Sequence, residues 1–159
     1  MANITTAAQS TVAAYAATLA KAADPAIPLA KVVSSLAEFY LPGFTAFTLG
    51  NIFSFTDDDI ARKSMHSELT RFQSLGLGND FRLANSRIEP VSDTSAICWL
   101  DWTLSPAGEA PWKFTIVFGF RVAEGRPSGL VGGWEWINAD HEFTQILARD
   151  PKVMSAQPQ

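Results

Sequence analysis

Apolar residues recur at helical spacing in the first half of the chain, which predicts three helices there. Two stripes with the spacing of one helix face run through residues 12–23 and 29–40, and a proline follows each of them. Because the residue before a proline is pushed out of the helical region, both helices are expected to end there. A third helix is predicted from Thr56, which has Asp59 three residues on as in a capping box, to Gly76.

The spacing then changes to a strand period. The segment 44–55 places apolar residues on both sides of Gly50 and Asn51, which is typical of a β-hairpin. From residue 80 onward, apolar and polar positions alternate in four segments joined by short turns, so an antiparallel meander is expected. A short helix over 139–148 closes the domain. The four predicted strands are 81–92, 95–104, 112–122 and 130–138.

Length and composition indicate one globular domain. The chain has 159 residues, of which 47% are hydrophobic, so a single domain over 1–150 is expected, with 151–159 as a disordered tail. The net charge is -4 and no Lys/Arg cluster occurs, so neither nucleic acid nor an anionic membrane is an expected partner. The single cysteine, Cys98, excludes an internal disulfide and fits a cytoplasmic protein. No apolar run approaches the ~18 residues of a membrane span.

The aromatic residues suggest two apolar sheet faces. All five tryptophans lie on the last three predicted strands. One face of such a sheet must be covered by the helices. The other face also carries apolar residues, and such a face either lines a cavity or is buried in a dimer. We expect both a cavity and a homodimer formed through the outer sheet face.

Three segments resemble the nuclear transport factor two-like, or SnoaL-like, superfamily: "AAYAATLAKAAD" (13–24), "FYLPGFTAFTLG" (39–50) and "GWEWINAD" (133–140). The element order resembles it over nearly the whole chain. The resemblance implies an α+β fold with a cone-shaped, curved antiparallel sheet. Three N-terminal helices would cover one face, followed by a short C-terminal helix. Similar proteins include ketosteroid isomerases, polyketide cyclases, scytalone dehydratases, epoxide hydrolases and noncatalytic binding modules.

The resemblance does not carry over a complete catalytic set. Tyr15, followed by Leu19, matches the spacing of the tyrosine that donates to the oxyanion in the isomerase's first helix. The position of that enzyme's general base falls at Thr48, and its second oxyanion acid falls at Phe118. Of an arginine and aspartate two apart in the epoxide hydrolase, only the aspartate is kept, as Asp101.

Asp101 is the first candidate catalytic residue because it interrupts an apolar strand, "CWLDWTL". An aspartate buried in an aromatic pocket has a raised pKa and becomes a usable acid or base near neutral pH. Alternatively, Asp101 lies on the outer face and pairs with Lys113 or Arg121. Alternation alone leaves both faces open.

Tyr15 is the second candidate, either as a hydrogen-bond donor to a substrate oxygen or as a core tyrosine with a backbone partner. Phenylalanines and Ile116 on one parity of the strand 112–122 form core and would also wall a cavity. Glu135 alternates with two tryptophans and is expected to face outward, toward Arg121. The candidate substrate-binding residues are Trp99, Tyr40, Phe114, Ile116, Phe118 and Trp136.

No cofactor or metal is expected. His66 and His141 lack a second ligand at metal-binding spacing, and the chain has no Gly-rich phosphate loop. These residues and the resemblance favour a cofactor-independent isomerase, cyclase or dehydratase. Its substrate would be a hydrophobic, oxygenated small molecule, such as a polyketide or terpenoid intermediate. The alternative is a noncatalytic binding or dimerisation module of the same fold.

Overall fold

The computed structural model describes residues 3–151; all but the first residue of the predicted tail lies outside them. Four α-helices are present in this part of the chain, and none of its helices is long and apolar enough to cross a membrane. Asp57, not Thr56, caps the third helix, because its carboxylate accepts the main-chain N–H groups of Asp59 and Ile60. The helices are α1 Ile4–Ala20, α2 Leu29–Ala37, α3 Asp58–Ser74 and α4 Asp140–Arg149.

The strands form one six-stranded curved sheet in the order β2-β1-β6-β5-β4-β3. The predicted hairpin and meander are both confirmed. The sheet is not purely antiparallel, because β1 pairs with β6 in parallel. Strands β1 and β6 are far apart in the sequence and no hairpin joins them, so no tight turn imposes the antiparallel direction. The strands are β1 Tyr40–Thr48, β2 Asn51–Ser54, β3 Arg82–Pro90, β4 Ser95–Leu104, β5 Trp112–Val122 and β6 Gly132–Asn138.

The helices do not cover the inner face of the sheet evenly. Helix α1 packs against four strands, β3 to β6, whereas α3 packs mainly on α2. At its C-terminal end α3 reaches the sheet through Phe72, whose ring packs near those of Trp112 and Phe114. The expectation that three helices cover one face is therefore only partly correct, and α3 leaves a space between its N-terminal half and the sheet.

The two parities of β4 are separated cleanly by burial. Alternate residues are fully or almost fully buried and face the helices, among them Leu100 and Trp102. The other parity is half-buried on the outer face and includes Trp99 and Asp101. Across the β4–β5 pair, Asp101 lies opposite Thr115 on that outer face.

A bulge in β6 places its two tryptophans on opposite faces. Trp134 lies opposite the inward Phe120, while Trp136 lies opposite Gly119, so Glu135 is an extra residue between the two registers. Trp136 packs over the bare backbone of Gly119, where a Cβ atom would lie 2.1 Å from the indole nitrogen. The expectation that Trp136 faces the cavity is wrong, because simple alternation does not hold through the bulge.

Candidate functional site

A cavity of about 460 Å³ lies between the inner face of the sheet and the helices. Its lining is mainly apolar and includes the predicted wall residues Phe114 and Ile116. Phe53 on β2 and Ile60 on α3 also line it and are 49% and 57% exposed, so the cavity meets solvent between these elements. The polar and charged lining residues are Tyr15, Tyr40, Thr48, Asn51, Ser64, Ser67, Glu68, Arg71 and Glu142.

Two tyrosines form a hydrogen-bonded pair in the cavity wall. The Tyr15 and Tyr40 hydroxyl oxygens are 3.0 Å apart, so one hydroxyl donates to the other and the second proton is available to a ligand. Burial is the main cause of a raised pKa for both phenols, and the nearby carboxylates of Glu68 and Glu142 raise it further. Both tyrosines therefore stay protonated and keep their ability to donate.

The chain fixes this pair from both sides. The ring of Tyr15 makes edge contacts with its aromatic neighbours, including Phe118 at 5.4 Å and Trp134 at 5.7 Å between centroids. Tyr40 begins β1, and the Arg126 side chain donates to its main-chain oxygen at 3.1 Å and to that of Glu38. The loop after β5 thus holds the strand that carries Tyr40.

A buried carboxyl faces the same cavity. Glu142 on α4 is 2% exposed, and its Oε2 atom has no hydrogen-bond partner among residues 3–151. Burial and then the negative charge of Glu68 raise the pKa of Glu142 well above its usual range, while Arg71 has a smaller lowering effect. Burial and a neighbouring negative charge therefore both favour the protonated form of Glu142.

These groups can perform proton transfer next to an oxygen. A carboxyl with a raised pKa can give a proton and take it back. A protonated tyrosine pair can stabilise negative charge that develops on a substrate oxygen. The apolar lining excludes water and strengthens both effects.

The predicted catalytic pair is not brought together. Asp101 lies on the outer face of the sheet, where Thr115 donates to its Oδ1 atom at 2.6 Å. It lines a shallow outer depression with Lys113 and His141, and not the cavity that holds Tyr15. The parity of β4 decides this, because Leu100 and Trp102 on either side of Asp101 take the inward positions.

The predicted substrate-binding residues divide in the same way. Tyr40, Phe114 and Ile116 line the cavity, whereas Phe118 is fully buried behind Tyr15. Trp99 lies on the outer face under the Arg87 guanidinium, which is 3.8 Å from its ring centre, so it does not line the cavity as expected. The expected outward ion pair of Glu135 with Arg121 is present, at 2.5 Å and 3.2 Å.

Sequence reasoning missed the two glutamates, although a signal was present. Glu142 is four residues before the buried Ile146, and Glu68 lies between Met65 and Phe72 at helical spacing. Each carboxyl therefore interrupts an apolar helix stripe. A charge on such a stripe is an expensive arrangement that points to a site.

No cluster of three or more His, Cys, Asp or Glu side chains within residues 3–151 is placed to hold a metal ion. In sequence, the chain matches no protein-family model and none of the curated proteins.

The fold does match solved structures. Aln2 from a Streptomyces species aligns with a TM-score of 0.59 at 10% identity, over 92% of this chain and 96% of that one. A scytalone dehydratase-like protein from Novosphingobium aromaticivorans aligns with a TM-score of 0.55 at 14% identity, over 84% and 80%. An NTF2-like protein of unknown function from Shewanella oneidensis aligns with a TM-score of 0.56 at 9% identity, over 84% and 96%. The chain therefore has the nuclear transport factor two-like fold that its sequence resembles.

Proposed function

We propose that this protein is a cofactor-independent isomerase, cyclase or dehydratase that works by acid–base catalysis in the cavity. The observation that carries the proposal is the Glu142 carboxyl, whose Oε2 atom is buried without a hydrogen-bond partner in the described chain and which faces the same cavity as the Tyr15–Tyr40 pair. An unpartnered buried carboxyl oxygen is costly to folding, and a raised carboxyl pKa in a cleft is typical of a catalytic acid or base.

Each polar group has a distinct role in this proposal. The Glu142 carboxyl moves the proton, because its raised pKa suits a group that acts as acid in one step and as base in the next. The tyrosine pair donates a hydrogen bond to the substrate oxygen on which negative charge develops. Arg71 lies beside the carboxyls and offsets their charge.

The lining indicates the class of substrate. Most of the cavity wall is aromatic or aliphatic, which favours a hydrophobic molecule such as a polyketide or terpenoid intermediate. The one arginine among the lining residues already interacts with the Glu142 carboxyl, so an anionic substrate gains little from it. An uncharged molecule with at least one oxygen fits best. Similarity in fold to a scytalone dehydratase-like protein is in keeping with this class.

Hydrogen–deuterium exchange tests the proposed proton transfer. The probe is 1-tetralone, an uncharged bicyclic ketone, whose hydrogens next to the carbonyl exchange slowly in D₂O and are followed by NMR. We expect the protein to accelerate this exchange. Removing the buried acid in Glu142→Gln should lower the protein-dependent rate by about 100-fold.

Asp101→Asn is the matched control, because it removes a carboxyl from the opposite face of the same sheet. It should leave the exchange rate unchanged. Binding of 1-tetralone without accelerated exchange would favour the alternative, a noncatalytic module that binds apolar ligands in this cavity. An equal loss in both variants would contradict the assignment of Glu142.

A further inference from the structure

Two buried indole N–H groups lack an acceptor in the described part of the chain, those of Trp102 and Trp134. Both side chains are fully buried on the inner side of the sheet. A buried donor without an acceptor is costly to folding, so such a group requires an explanation.

The surroundings of the two indoles differ. Trp102 lines the cavity together with Tyr15, and their ring centres are 6.2 Å apart. Trp134 packs behind this layer, with its ring centre 4.7 Å from that of Phe118, and is not among the residues that line the cavity. Of these two tryptophans, Trp102 is therefore the one that lines the cavity.

We propose that Trp102 is a specificity-determining residue whose indole N–H donates a hydrogen bond to an oxygen of the bound molecule. Indole nitrogen is a donor only, so its partner must be an acceptor such as a carbonyl or ether oxygen. A site built to hydrogen-bond an oxygen discriminates against the analogue that lacks it, because the donor is then left unpaired. This inference rests on the proposed function for the location of the site, and it makes an oxygen acceptor a requirement for tight binding.

The test compares 1-tetralone with tetralin, which has the same rings without the oxygen. Their dissociation constants are measured for the wild-type protein, Trp102→Phe and Trp134→Phe. The ratio of the two constants separates the hydrogen bond from the change in cavity volume, since both ligands experience the same volume change. We expect the wild-type preference for the ketone to fall roughly tenfold in Trp102→Phe. Trp134→Phe should keep the wild-type ratio.

The indole proton of Trp102 gives a second readout in the unmodified protein. In ¹⁵N–¹H NMR spectra, with the resonance assigned by its loss in Trp102→Phe or by through-space contacts, it should move downfield on adding 1-tetralone and much less with tetralin. An unchanged ketone preference in Trp102→Phe, or equal indole shifts with both ligands, would overturn the role of Trp102 and leave the proposed function standing. A wild-type protein that binds neither compound would overturn the proposed function and this inference together.

Discussion

The two faces of the sheet carry similar residues in opposite circumstances. Each face has a carboxyl beside aromatic rings. On the inner side, Glu142 is almost fully buried and its Oε2 atom has no partner within residues 3–151. On the outer side, Asp101 is half-buried and accepts a short hydrogen bond from Thr115. The position of Asp101 between two tryptophans in the sequence therefore does not place it in the cavity, where the buried carboxyl without a partner is that of Glu142.

The outer face neutralises its other charges as well. The Arg87 guanidinium stacks on Trp99, and Arg121 pairs with Glu135 through two hydrogen bonds. Exposed pairs of this kind contribute little to stability. These charged groups of the outer face therefore have partners on the same face, whereas the polar groups on the inner side line the cavity.

The largest expected effect comes from breaking the hydrogen bond on the inner face, and the matched control breaks one on the outer face. Tyr15→Phe removes the inner hydroxyl pair, and we expect the exchange rate of 1-tetralone to fall by roughly 100-fold to 1,000-fold, because a donor to the developing oxyanion is lost. Thr115→Val removes the hydrogen bond to Asp101 and should leave that rate at the wild-type value. A comparable fall in Thr115→Val would show that the two faces do not differ in reactivity.

The second prediction concerns the outer face as a proposed dimer interface. Ile97, Trp99, Val117 and Trp136 lie next to one another on three adjacent strands and form an apolar surface. If a second copy covers this surface, Val117→Glu buries an unpaired charge and should weaken the dimer at least about 100-fold. Sedimentation velocity measures the change.

Val91→Glu is the matched control, because the same substitution occurs at a residue that is 64% exposed in a turn. It should leave the association unchanged. A wild-type protein that sediments as a monomer at all concentrations tested would refute the dimer.

The third prediction tests the bulge that separates Trp134 from Trp136. Gly119→Ala places a methyl group against the Trp136 indole and should lower the free energy of unfolding by about 1–3 kcal/mol in urea titrations. In a Trp136→Ala background the same substitution should cost much less. An equal cost in both backgrounds would show that Trp136 is not the group that excludes a side chain at position 119.

Sequence reasoning predicted the elements well because they depend on local periodicity and on turns. The hairpin follows from the turn at Gly50 and the meander from the alternation after residue 80, and both are present. The face of Asp101 could not be predicted, because alternation defines two parities without saying which one the helices cover. Trp136 was misplaced because a one-residue bulge shifts the parity without a clear local signal.

The cavity could be predicted only in outline. Tyr15 and Tyr40 were identified, but their contact joins residues 25 positions apart and depends on how β1 meets α1. Glu142 lines the same cavity, but it lies on α4, which follows the whole meander in the sequence. Such convergence depends on tertiary packing, and a single sequence contains no direct record of it.

The smallest effect is a change in how stability depends on pH. The pKa of Glu142 is raised in the folded protein, so the folded state keeps a proton that the unfolded state loses above about pH 4.3. The free energy of unfolding therefore falls as the pH rises from that value toward the pKa in the folded state. Glu142→Gln removes this term, and its stability relative to wild type should rise by at most about 1.4 kcal/mol per pH unit in that range.

Urea titrations at pH 5, 6 and 7 measure this difference, with Glu109→Gln as the control. Glu109 is exposed and pairs with Arg149 at 2.8 Å, so its variant gives the baseline for removing a surface carboxyl. If Glu142→Gln also gave a pH-independent difference, Glu142 would ionise in the folded protein much as it does in the unfolded chain. The contrast between the inner and outer carboxyls would then be lost, because burial of Glu142 would not favour its protonated form.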